Sequence, residues 1–260
     1  MDDSFKHSHS VSIMGYPVWK SGLKNCADAI VRSIRASERR WLACLNPHSY
    51  VTALEKPEFR KALFNADFLL PDGFGIVIAS KILGVALQER VTGPDLFIAV
   101  CDAMQAAGGG TVFFLGSTDH VLNEIRNNMA RDWPAINIVG TWSPPFKARF
   151  SDDDNREMVS RINSVRPDML WVGMTAPKQE EWLYKMLPSL DIRFAGAVGA
   201  VFDFYTGQVK RSHPLFRRLG LEWLPRLIQQ PRRLWRRTFI SAPIFMWQVL
   251  RAKVTGSQAF

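Results

Sequence analysis

Apolar residues recur along this chain with two rhythms. Short runs rich in β-branched and aromatic residues, at 12–18 (SIMGYPV), 41–45 (WLACL), 67–70 (DFLL), 111–116 (TVFFLG), 136–140 (INIVG), 168–174 (DMLWVGM) and 192–199 (IRFAGAVG), have the texture of strands. Between them, residues 23–36, 49–64, 75–83, 94–107, 119–131, 153–164 and 178–187 carry apolar positions at helical spacing. The punctuation agrees: Thr118-Asp119 and Ser151-Asp152-Asp153 open helices, and Gly108-Gly109-Gly110 closes one. Strands this apolar, alternating with helices, predict an α/β fold built on a mostly parallel sheet with helices on both faces. Residues 1–10 predict a loose terminus.

After Tyr205 the rhythm changes. Arginines cluster, four prolines and three tryptophans (Trp223, Trp235, Trp247) appear, and Pro225, Pro231 and Pro243 predict several short helices instead of one long one. Charge sharpens the division. Residues 207–260 hold 11 of the 33 Lys+Arg and a single acid, Glu222, for a net +10, whereas residues 1–206 are at −1. The chain therefore reads as a body, 1–206, and a basic, Trp/Arg-rich helical appendage, 207–260. With 47% hydrophobic and 22% charged residues the composition is that of a folded protein. Three cysteines without a CxxC pair argue against a disulfide framework and for a reducing cytoplasm. The polar opening MDDSFKHSHS has no secretory apolar region, and no apolar run reaches the ~18 residues of a spanning helix.

Parallel sheets bind ligands beyond the carboxyl ends of their strands, so the residues after each run are the ones to read for chemistry. They are Asn46; Pro71-Asp72-Gly73; Gly116-Ser117-Thr118; Thr175 to Glu180; and Asp203 with Gly207. Asp72, on a Pro-Gly bend, suits either a general base taking a hydroxyl proton or a helix N-cap. Gly116 and Ser117 form either a phosphate-holding turn or an ordinary strand-to-helix turn, since the P-loop lysine is missing. Gln179 and Glu180, at a helix start behind Pro177, can meet sugar hydroxyls or cap the helix. Asp152-Asp153-Asp154 reads as a dipole-complementing cap, and the five histidines show no metal-ligand spacing, so no metal is expected. The interleaved tail arginines and tryptophans fit an anionic membrane interface or phosphates. RNA is the competing partner for such a tail, but no nucleic-acid motif accompanies it. A nicotinamide oxidoreductase is disfavoured by the missing G-x-G-x-x-G.

Taken together, Leu45-Asn46, Ala66-Asp67 with Pro71-Asp72-Gly73, Arg90-Val91-Thr92-Gly93, Phe114-Leu115-Gly116, Pro177-Lys178-Gln179-Glu180, Val198-Gly199 with Phe202-Asp203-Phe204 and Gly207, and Gly220 to Arg226 ending in Pro231-Arg232-Arg233 resemble the WecG/TagA/CpsF glycosyltransferase family, in family order across roughly 12–237. The resemblance implies a Rossmann-like fold and an inverting, metal-independent, cofactor-free transferase. Such an enzyme moves a hexose from a UDP-sugar to a polyprenyl-diphosphate-linked sugar at the inner face of the cytoplasmic membrane, in surface-polysaccharide synthesis. It implies Asp72 as catalytic base. Asn46, Gly73, Arg90, Gly116, Ser117, Gln179, Glu180, Asp203 and the tail residues Arg226, Arg232 and Arg233 are implied as substrate contacts. The appendage is implied to approach both the site and the membrane, nucleic acid is not implied as a partner, and self-association is admitted. A nucleotide- or RNA-binding protein without transferase activity is the other reading. Three departures stand out: Cys44 replaces a frequent threonine, Thr175 a frequent glycine, and His213 a small residue.

Overall fold

The computed structural model describes residues 3–209 and 231–256. The chain begins with α1 (Asp3–His9), β1 (Ser10–Ile13), β2 (Tyr16–Trp19) and α2 (Gly22–Arg35). It continues through β3 (Arg40–Leu45), α3 (Pro47–Glu55), α4 (Pro57–Asn65), β4 (Phe68–Pro71), α5 (Phe74–Leu83) and α6 (Gly93–Ala106). Then come β5 (Gly110–Gly116), α7 (Asp119–Asp132), β6 (Ile136–Trp142), α8 (Asp152–Asn163), β7 (Met169–Gly173), α9 (Lys178–Met186), β8 (Phe194–Ala197) and the short α10 (Val201–Tyr205). The described part of the tail is α11 (Pro231–Arg236), a π turn (Arg237–Ser241) and α12 (Ala242–Thr255).

Eight strands form one sheet in the order β1-β2-β4-β3-β8-β7-β5-β6, parallel throughout except for the β1–β2 hairpin. The α/β class predicted by the apolar pattern is the one observed. Alternation within each strand sends side chains to two cores. Trp41, Ala43 and Leu45 join Leu69, Leu170 and Val172 under α3, α4, α5, α9 and α12. Leu42 joins Phe68, Leu70, Val112, Phe114 and Phe194 under α2, α6 and α7. Each large side chain so buried contributes on the order of 1.5–3 kcal/mol, which is why the apolar runs dictated the sheet.

Local chemistry overrode the pattern in four places. The 12–18 run is not one strand. Met14 and Gly15 both take positive φ and fold it into the β1–β2 hairpin. The 49–64 run is two helices, because Pro57 has no N–H to give and holds Lys56 extended (φ −122°, ψ 95°). Residues 3–9 are helical, anchored by Phe5 against Phe68 (5.2 Å between ring centroids) and under the Arg40 guanidinium. Finally, Pro243 does not end a helix. It falls in the first turn of α12, just after the π turn has already interrupted the helical hydrogen-bond ladder.

Helix α12 packs on α3 and α5 through Phe245, Val249 and Ala252, one helical face, with Phe245 5.1 Å from the Tyr50 ring. The end of the basic tail thus shares a core with the strands. Among the described residues no helix is long and apolar enough to cross a membrane.

Candidate active site

After β3 the chain turns to one face of the sheet, into α3; after the neighbouring β8 it turns to the other, into α10. Loops that leave adjacent strands for opposite faces open a crevice between them, the place where α/β sheets take ligands. A cleft of about 530 Å³ lies there, within the range of roughly 300–1,000 Å³ typical of small-molecule sites. Its wall combines Cys44 and Asn46 after β3, Asp72 and Gly73 after β4, Val198 and Gly199 after β8, and Thr175 and Ala176 after β7. The loop before α6 adds Arg90 and Thr92, and the tail adds Leu234, Arg237 and Thr238.

Short-range bonding explains how each group arrives. The Asp72 N–H donates to the carbonyls of Leu45 and Leu70 (2.9 Å each), fixing the bend against the end of β3. Gly73 follows at φ 99°, a conformation that disfavours any side chain, and starts α5. The Val91 N–H donates to Pro71 O (3.2 Å), which ties the Arg90 loop to the same bend. Asn46 caps α3, its Oδ1 accepting from the N–H groups of His48 (3.1 Å) and Ser49 (2.9 Å), so what it can offer a ligand is its amide NH₂. Gly75 lets α3 and α5 start side by side, since a Cβ there would sit 2.5 Å from Pro47 Cγ. First-turn residues of α3, α5, α6 and α9 all line the cleft. Four helix N-termini therefore aim partial positive charge into one volume, which favours an anion.

The ionisable groups of the wall are strongly displaced. Burial, reinforced by the carboxyl groups of Asp72 and Glu180, holds the Cys44 thiol well above its usual range, so it stays protonated. Burial raises the Glu180 carboxyl to about 7, with the Gln179 hydrogen bond and Arg237 acting the other way. The His48 imidazole, bonded through Nδ1 to Ser241 Oγ (2.9 Å), is lowered to about 4 by burial and by Arg237 and Arg236. It is neutral at pH 7.

Of the residues singled out from sequence, Asn46, Asp72, Gly73, Arg90, Gln179 and Glu180 meet in this cleft. Gly116 and Ser117 do not line it. They end β5 against β7, where the Ser117 N–H donates to Gly173 O (3.1 Å) and its carbonyl accepts from Ser143 Oγ (2.8 Å). Asp203 lies in α10, between the lining residues Val201 and Phe204, and is itself outside the lining. Arg226 lies outside the described residues, as do the side chains of Arg232 and Arg233. Asp154 is a cap as expected, completing a capping box with Ser151 and holding Lys147. Sequence reasoning missed Arg237, His48 and Thr92 as cleft residues. Arg237 is one of nine arginines in the tail, and its place three residues after the buried Leu234, on the same helical face, marks it out.

A parallel α/β sheet whose crevice gathers a carboxylate, two guanidinium side chains and the first turns of four helices defines a cleft suited to a polar, anionic ligand. The chain belongs to the Glycosyl transferase WecG/TagA/CpsF family, whose sequence profile matches residues 11–259. It is 36% identical over 211 residues (81% of this chain, 79% of the relative) to an N-acetylglucosaminyldiphosphoundecaprenol N-acetyl-beta-D-mannosaminyltransferase of Bacillus spizizenii. Proteins with the same description from Bacillus subtilis (28% identical; 81% and 78% covered) and Staphylococcus aureus (27%; 84% and 83%) are also similar.

Proposed function

We propose that this glycosyltransferase moves a hexose of the N-acetylmannosamine type from a UDP-sugar to an N-acetylglucosamine carried on a polyprenyl diphosphate, with inversion and without a metal or cofactor. The reading rests on one observation: Asp72, Arg90 and Arg237 line a single crevice that four helix N-termini face. Asp72 takes the proton of the acceptor hydroxyl as its oxygen bonds to the anomeric carbon, from the side opposite the departing UDP. The bond from that carbon to the diphosphate oxygen breaks, and the charge left on UDP meets Arg237, Arg90 and the helix termini. Positive groups already in place can do what a divalent ion does in other transferases.

A lipid-linked acceptor requires an enzyme at the membrane surface, and we assign residues 207–260 to that task on the cytoplasmic face. On α12, Trp247, Leu250 and Val254 are exposed on the side away from the core, beside Arg251 and Lys253. Phe74 and Ile78, exposed on the adjoining α5, continue the apolar surface to the cleft. Tryptophan and cationic side chains together suit the headgroup region, each cation contributing about 1 kcal/mol near an anionic leaflet.

The deciding experiment measures UDP release from a panel of UDP-sugars, with a short-chain lipid-diphosphate N-acetylglucosamine in anionic vesicles, with and without EDTA. Turnover of the N-acetylmannosamine donor that survives EDTA, with the protein sedimenting on the vesicles, is the expected result. No UDP release with any pair, or steep salt-dependent RNA binding in its place, would reject the reading.

A further inference from the structure

Among the described residues, two polar atoms in the cleft wall lack partners. Gln179 and Glu180 open α9 and are almost wholly buried (3% and 2% exposed), yet both line the cleft. Gln179 Nε2 donates to Glu180 Oε1 (2.9 Å), while Gln179 Oε1 and Glu180 Oε2 have no hydrogen-bond partner among the described residues. A buried polar atom left unpaired costs about 1–3 kcal/mol, and such atoms persist where a ligand answers them. Gly199, at φ 56°, turns the backbone beneath the Gln179 amide, so the pair sits at the end of β8 and not behind it.

The polarity of the pair follows from the bond between its two side chains. Because the Gln179 amide donates to Oε1, that oxygen acts as the carbonyl of the Glu180 acid, and Oε2 is where a proton resides. We infer that Glu180 works as a neutral acid, donating from Oε2 to a sugar hydroxyl while Gln179 Oε1 accepts a hydroxyl proton from the same sugar, so that the pair selects substrates by a hydroxyl and not by charge. This inference rests on the transfer reaction proposed above and names the group of the substrate that the cleft reads. The surroundings support the neutral form. Around Glu180 lie the half-buried Cys44 thiol from β3, Glu181 on its own helix and Arg237 from the π turn, and Asp72 acts on the same Cys44 thiol. Among the described residues Arg237 is the cation that acts on it, and burial outweighs that charge, with the carboxyl titrating at about 7. A carboxylate would present acceptors only; the acid with its amide neighbour presents one donor and one acceptor, the complement of a hydroxyl.

The test pairs single-hydroxyl deletions in the sugars with changes at Glu180. Steady-state kcat/KM is measured for wild type, Glu180→Gln and Glu180→Ala with monodeoxy analogues of the donor and, separately, of the acceptor; equilibrium binding of the same compounds is followed by calorimetry. One analogue, in either the donor or the acceptor series, is expected to lose on the order of 30-fold or more with wild type. That loss should shrink to about threefold or less in Glu180→Ala, which has already lost the partner. Glu180→Gln keeps a donor in its amide and should keep the discrimination. It should also remove the decline of wild-type kcat/KM above pH 7. Equal losses on every analogue in Glu180→Ala, or a Glu180→Gln enzyme as impaired as the alanine variant, would overturn the inference. If no protein turns over any pair, the transfer reaction itself fails, and the calorimetric arm still decides whether Glu180 reads a hydroxyl.

Discussion

The two ends of the sheet's carboxyl edge are built from the same parts and come to different uses. At β3, β4 and β8 the connections leave for opposite faces, and the strand ends stay open around Asp72, Asn46 and Gly199. At β5 and β7 the strand ends lie against each other. A Cβ on Gly116 would sit 2.5 Å from the Gly173 carbonyl oxygen, and the Ser117 N–H is already spent on that same oxygen. A strand, a glycine, a small polar residue and a capped helix occur in both places. The lesson is that such a turn becomes a site only where the topology opens a crevice above it.

The largest expected effect tests the open end. Asp72→Asn keeps the bend, because the backbone bonds to Leu45 and Leu70 do not involve the side chain. It removes the group proposed to take the proton. Turnover should fall by about 10²-fold or more with donor binding little changed. A variant with near-wild-type kcat would return Asp72 to a merely structural role.

The next effect concerns stability, and again the two ends differ. Asp154, on the side of β6 and β7, is held down to about 2 by its bonds to Lys147 and Ser151, as a solvated cap should be. Glu180 is displaced the other way, from 4.5 to about 7. Between those values the native state holds more protons than the unfolded chain, so Glu180 makes stability fall as pH rises from about 4.5 to about 7, with the loss complete above that. Glu180→Gln cannot ionise. At pH 8 it should be more stable than wild type, by up to about 3 kcal/mol, and the gap should close below pH 4.5. Denaturant titrations at the two pH values measure it; a gap that does not change with pH would show that Glu180 is not buried as an acid.

How much of this was written in the sequence depends on the range of the forces involved. The apolar runs specified the α/β sheet because strand burial is local in pattern and large in energy. Residues 41–45 and 111–116 became β3 and β5 almost to the residue. The bend at Asp72 was legible because Pro71 and Gly73 are local instructions, and Gln179 and Glu180 because a proline opens their helix. Ser117 misled for the same reason: its local grammar is that of a phosphate turn, and only the β5–β7 pairing, set by residues 57 apart in sequence, closes it. Arg237 was hidden because its position depends on how the tail returns to α3 and α5, and no short motif encodes that return.

The smallest effect probes the closed end. Ser117 holds φ at 59°, where a residue with a Cβ is strained by about 1–2 kcal/mol. Ser117→Gly relieves that strain but gives the unfolded chain more freedom, worth about 0.5–1 kcal/mol in the opposite sense. The net gain should be about 0.5 kcal/mol, or a rise in Tm of about 1–2 °C for a protein of this size. The hydroxyl is lost in the same step. Since Ser117 faces Gly173 and Ser143 and not the cleft, kcat/KM should stay within about twofold of wild type. Melting curves and donor saturation curves on one preparation give both numbers. A stabilised variant with an unchanged donor KM would leave the strand end outside the site. A tenfold rise in donor KM would mean that the β5 turn does meet the diphosphate, and the contrast between the two ends of the sheet would have to be given up.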